Sequence, residues 1–155
     1  MVRCRYRGWR AALEEESDPI VDWSVFQRTR TELGAGFVRI LGYFREDGEK
    51  SVDKIEEAMH RKDAAGLVIP AHTLKSEARQ FGAEPLGELA EEIEFAGRRA
   101  VESRLFPDDI LPSVARLRPL YRETMELFEK ETNPLMERRP GFGNRGVNNQ
   151  EFGRF

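Results

Sequence analysis

The sequence predicts an all-α protein: an antiparallel four-helix bundle with a short accessory N-terminal helix. Three observations lead there. Apolar residues recur at steps of three, four and seven along four stretches, each several turns long. Turn and cap residues separate those stretches, as a bundle of consecutive helices requires. No segment has the strict alternation of a half-buried strand, and no apolar run approaches the ~18 residues of a membrane span.

The elements follow in chain order. Residues 1–17 form an N-terminal extension, four arginines followed by Glu14, Glu15 and Glu16. Val2, Tyr6, Trp9 and Leu13 recur there at roughly helical spacing, so both a frayed extension and a helix laid over the bundle fit. The bundle domain is expected over 18–132. Asp18, Pro19 and Asp22 are turn and cap residues, and Trp23 and Phe26 open a short helix that ends near Gly34. A long helix is expected over 35–62, with Phe37, Leu41, Phe44, Val52, Ile55 and Met59 as its stripe. The stripe keeps its phase across Gly48, so the helix is expected to continue through it, although each internal glycine costs up to ~1 kcal/mol relative to Ala.

Asp63 is an N-cap for the next helix, expected from Ala64 to Phe81 and kinked at Pro70, which removes one backbone donor. Pro85 suits the first turn of the following helix, whose stripe is Leu86, Leu89, Ile93, Ala96 and Ala100. Phe106-Pro107-Asp108 makes a connection to the last helix, with Ile110, Val114, Leu117, Tyr121, Thr124 and Phe128 in register. Pro119 should bend that helix, and Asn133-Pro134 should end it. Residues 133–155, with little periodicity, read as a flexible tail.

Composition narrows the function classes. The chain has 155 residues, enough for one domain with a real core; 34% are charged and 39% hydrophobic. A net charge of −3 gives no argument for nucleic acid or anionic membranes as partners. The single cysteine, Cys4, forms no internal disulfide and no cysteine-rich zinc site. The basic start is followed by glutamates rather than an apolar core, which is not a secretory signal, so the cytoplasm is the expected compartment.

The chemistry concentrates in residues 71–83. On a helical wheel Leu67, Ala71, Leu74, Ala78 and Phe81 fall within roughly ±40° of one direction, the core-facing stripe. His72 lies about 140° from that centre, Arg79 about 120°, Lys75 about 80° and Ser76 about 180°. The histidine therefore points to solvent, with cations one and two turns along on its flank. Gly82 sits where a helix takes a left-handed cap. An exposed imidazole serves as a plain surface residue, a metal ligand, a general base or a nucleophile. An ammonium at i+3 and a small residue at i+4 favour the nucleophile, because the product would be anionic and the approach open. His60 has no motif around it and reads as a surface residue. Two histidines without a nearby cysteine disfavour a metal site.

His72-Thr73-Leu74-Lys75-Ser76, followed by Gly82-Ala83, resembles the signature of histidine-containing phosphotransfer (HPt) domains of two-component phosphorelays. Phe44 to Asp47, Ile55, Ala58 and Asp63 upstream, and Leu86, Leu89, Ile93 and Glu94 downstream, extend the resemblance over roughly residues 18–130. One position departs from it: Ser76 stands where the family has a glycine that lets the partner approach closely.

The resemblance implies an HPt-like bundle in which His72 is the phospho-acceptor and Lys75 stabilises the phosphate. Val68, Ser76, Arg79 and Gln80 would contribute a docking surface, with Gly82 as a structural cap. It implies response-regulator receiver domains and a hybrid sensor histidine kinase as partners. Nucleic acid and membrane are not expected as partners, and the chain would act as a monomer. It implies a phosphocarrier rather than an enzyme, with no cofactor or metal of its own, since Mg²⁺ would come from the receiver. The runner-up is an adaptor with this fold that docks receivers or kinases without chemistry. A kinase fragment is disfavoured, since the sequence has neither a strand-rich segment nor a glycine-rich phosphate loop.

Overall fold

The structure, a computed structural model, describes residues 19–133. The expected extension over 1–17 and the tail beyond Asn133 lie outside the described residues. Asp22 starts the first helix, α1 (Trp23–Leu33), by accepting hydrogen bonds from the Ser24 and Val25 amides. A 3-10 turn, Gly34–Gly36, leads into α2 (Phe37–His60), which runs unbroken through Gly48 as the apolar phase predicts. It is two residues shorter at each end than expected. Gly34 adopts φ +51 and turns the chain, and the helix stops at His60 ahead of Lys62, at φ 55.

Asp63 caps α3 (Ala64–Gln80) through the Gly66 amide. Pro70 is buried inside this helix and does not start it. Gly82 then takes φ +80, and a Cβ there would stand 2.5 Å from the Asp22 carbonyl oxygen, so both conformation and space call for glycine. The Gly82 carbonyl in turn accepts from the Asp22 amide at 2.8 Å, latching α1 to the α3–α4 turn. α4 (Glu84–Ser103) carries Pro85 in its first turn. A 3-10 turn, Asp108–Ile110, leads into α5 (Leu111–Thr132), which contains Pro119.

The pairing of side chains shows the directions of the helices. Between α3 and α4, Arg79 meets Glu84 and Glu91, Lys75 and His72 meet Glu94, and a Cβ on Gly97 would stand 3.1 Å from the Ala64 carbonyl oxygen. One number rises as the other falls, so the pair is antiparallel. Between α2 and α5, Arg45 pairs with Glu129, and Arg118 with Glu49, Asp53 and Glu56, in the same sense. The four long helices close a ring of neighbours α2–α3–α4–α5, with α3–α4 the most extensive interface.

The core is the expected stripes. Leu67, Ala71, Leu74, Ala78 and Phe81 of the α3 region are buried, as are Leu86, Leu89, Ile93, Ala96 and Ala100 of α4. At the α1 end the filling is aromatic. Phe44 stacks on Phe81 at 5.4 Å, Phe26 stacks on Phe128 at 4.9 Å, and Phe37 meets both Phe26 and Phe81 edge-on. α1 is thereby a lid whose Phe26 plugs the end of the bundle, and α3 is held at the right depth to present its polar face beside α4.

Candidate functional site

His72 lies on the outer side of α3, one residue after buried Ala71, and its side chain is 56% exposed. The wheel places it correctly. What the wheel lacks is the neighbour. Nδ1 of His72 lies 3.0 Å from Oε1 of Glu94 on α4. Glu94 is a core residue, its side chain only 3% exposed. Its carboxylate also receives Nε and Nη2 of Arg98 on Oε1, at 3.0 and 2.7 Å, and the Lys75 ammonium at Oε2, 2.6 Å away. The Lys75 contact is a close ion pair without the alignment of a hydrogen bond, which leaves Oε2 without a hydrogen-bond donor.

Burial pushes the Glu94 carboxyl up, but Lys75, Arg98 and His72 together outweigh it and bring it to about 2. Glu94 is therefore ionised at neutral pH and can only accept. That assigns the Nδ1 proton to the bond with Glu94, so in the neutral ring the lone pair sits on Nε2.

Lys75 is more enclosed than the wheel suggests, at 15% exposure. Its flank of α3 is covered by α4, where Glu94, Glu91 at 3.7 Å and the face of Phe95 surround the ammonium. Arg79 is bound to Glu84 at 3.0 Å and to Glu91 at 2.9 Å, and the Arg79 hydrogen bond is the main cause that holds the Glu91 carboxyl below its ordinary value. Gly87 makes room for the Arg79 stem, which lies 2.9 Å from where a Cβ would be. Ser76 is exposed and donates its hydroxyl to the His72 carbonyl at 3.1 Å. Gln80 is exposed, and its carbonyl accepts from Thr29 of α1. Val68 is half-buried, packed where Gly97 brings the α4 backbone close. Ile69, three residues before the histidine, and Phe95, whose ring lies against the Lys75 ammonium, are exposed apolar side chains on these two helices. His60 is exposed at the far end of α2.

The structure thus brings His72, Lys75 and Arg98 onto the one carboxylate of Glu94, and sets Arg79 one step along with Glu91. In the sequence Glu94 stands out only within the downstream part of the resemblance, and Arg98 not at all. A signal was present. Gly87, Ala90, Glu94 and Gly97 recur at steps of three and four on α4, all buried, so Glu94 is the one charge in a row of small residues.

This geometry presents an oriented imidazole on a bundle surface, its Nε2 without a partner among the described residues. A model of the Hpt domain family matches residues 39–129, from α2 nearly to the end of α5. The chain belongs to the Hpt domain family. Members of that family are carriers of phosphoryl groups on histidine within phosphorelays rather than autonomous kinases, and they work with kinases and response regulators. The crystal structure of histidine-containing phosphotransfer protein B from Pseudomonas aeruginosa PAO1 is similar to this Hpt chain. It has a TM-score of 0.64 and 23% identity, with 74% of this chain and 96% of that one covered. No curated protein matches the sequence. No helix among the described residues is long and apolar enough to cross a membrane.

Proposed function

We propose that His72 is the phospho-acceptor of this Hpt domain, and that it takes a phosphoryl group from an aspartyl phosphate on a receiver domain and returns it to another. The observation that carries the reading is the pairing of His72 Nδ1 with ionised, buried Glu94, because in the neutral ring it puts the lone pair on Nε2 of a side chain that is 56% exposed. In the forward step the Nε2 lone pair forms the N–P bond as the aspartyl O–P bond breaks, and the receiver keeps its carboxylate. The Nδ1 proton stays in place, so the charge developing on the ring is met by Glu94 without a proton transfer. The receiver would supply Mg²⁺ and most of the transition-state stabilisation.

Lys75 neutralises Glu94 and lends positive charge one turn from the acceptor. Ser76, Gln80 and the rim beside them form the docking surface for the receiver, with hybrid sensor kinases as the upstream source. The chain acts as a monomer in the cytoplasm in this reading.

The test is phosphotransfer from a phosphorylated receiver domain with Mg²⁺, following acid-labile, base-stable phosphate on this chain and on His72→Gln. Label on the native chain and none on the variant is the expected result. Label on both would place the acceptor elsewhere. Absence of label with several receivers, together with retained binding to them, would favour an adaptor, and Ser76→Gly would show whether the missing glycine is the cause.

A further inference from the structure

Three cations surround the site, and they are not equally free. Lys75 is enclosed, and it is the only partner of the buried Oε2 of Glu94 among the described residues. Moving it away would strand a buried carboxylate oxygen, which is costly. Arg79 is held by two other carboxylates. Arg98 differs on both counts. Its side chain is 52% exposed, and Nη1 has no partner among the described residues. Its departure would leave Oε1 still accepting the His72 Nδ1–H. Arg98 and the imidazole already flank one oxygen atom, each at hydrogen-bond distance.

We propose that Arg98, rather than Lys75, is the cation that makes direct contact with the phosphoryl group carried by His72. The inference rests on His72 being the acceptor. On arrival of the phosphoryl group at Nε2, the guanidinium turns from Oε1 to the phosphoryl oxygens, which suit its planar fork of donors, while Lys75 stays as the counter-ion of Glu94. No bond beyond those of the transfer itself is made or broken. The unphosphorylated chain thus keeps Arg98 in store on Glu94, and the phosphorylated one uses it.

The experiment measures the equilibrium between phosphohistidine and aspartyl phosphate, and the lifetime of the label, for the full chain mixed with a phosphorylated receiver domain. Native protein, Arg98→Ala and Arg98→Lys are compared, each also in a Glu94→Gln background, with thermal melting as the control for folding. Arg98→Ala is expected to shift the equilibrium about tenfold toward the receiver, the size of one charge-assisted hydrogen bond, while the chain stays folded with a lowered melting temperature, since Glu94 loses the guanidinium. Arg98→Lys should recover part of that shift, and the effect should persist in Glu94→Gln. An unchanged equilibrium and lifetime in Arg98→Ala would overturn the proposal. So would an effect that vanishes in Glu94→Gln, since Arg98 would then act only by positioning Glu94. No label on the native chain would overturn the His72 reading, and this inference with it; label on the native chain with no effect of Arg98 would overturn this inference alone.

Discussion

His72 on α3 donates its Nδ1 proton to Oε1 of Glu94 on α4 across 3.0 Å, and Glu94 lies almost wholly inside the protein. The reactive ring is held from below, by a charge that solvent does not screen. Replacing Glu94 by Gln keeps the shape and removes the charge. We expect Glu94→Gln to slow phosphoryl acceptance by roughly tenfold, because the amide tolerates either imidazole tautomer and no longer balances the charge that develops on the ring. Single-turnover transfer from a phosphorylated receiver measures it. An unchanged rate would show that Glu94 serves packing alone.

Glu77, on the other flank of α3, gives a pH dependence. Burial, helped by the Asp47 charge on α2, raises its carboxyl from 4.5 to about 7, and its Oε2 is buried without a partner. Between 4.5 and about 7 the folded chain binds more protons at this site than the unfolded chain, so stability falls as pH rises through that window and levels off above it. Glu94 works the opposite way, its folded value of about 2 lying below 4.5, so its contribution is complete above 4.5 and is lost as pH falls through about 2. Urea midpoints across the upper window should decline for the native chain and stay flat for Glu77→Gln. A decline of equal size in the variant would assign it to another group.

Gly48 marks a close approach inside the bundle. A Cβ there would stand 2.7 Å from Cε2 of Tyr121, whose ring is buried and whose hydroxyl is bound to the Arg45 carbonyl at 2.6 Å. The ring has no free direction in which to yield. Gly48→Ala would gain up to ~1 kcal/mol of helix propensity but overpack the core by about 1–3 kcal/mol, so a net loss of stability is expected. A melting temperature above the native one would contradict it.

Phe26 tests the lid. It is fully buried and touches Trp23, Phe37 and Phe128. Phe26→Ala should cost about 3–5 kcal/mol. Amide exchange should report the loss first in α1 and at the Asp22–Gly82 latch. Uniform loosening of the whole chain would mean that α1 is integral to the bundle.

The stripes, the caps at Asp22, Asp63 and Gly82, and the outward direction of His72 were legible in the sequence because each depends on local spacing along one helix. The unbroken passage of α2 through Gly48 was legible for the same reason. The enclosure of Lys75 and the part played by Arg98 were not. Both arise from the register between α3 and α4, which sequence spacing on α3 does not contain. A charge within a row of small residues on α4 was the one visible trace, and it marks Glu94 without saying which residues of α3 it will meet.

Gly97 fixes that register. A Cβ on it would lie 3.1 to 3.2 Å from the Ala64 carbonyl oxygen, the Val68 methyl and the Leu67 Cβ, so the two backbones touch one turn away from the Glu94 carboxylate. Nucleophile and counter-charge therefore belong to a helix pair and to neither helix alone. A graft of the His72 segment onto another scaffold would carry the motif but leave behind its electrostatics. A transplant of α3 and α4 together, keeping Gly97, would carry both.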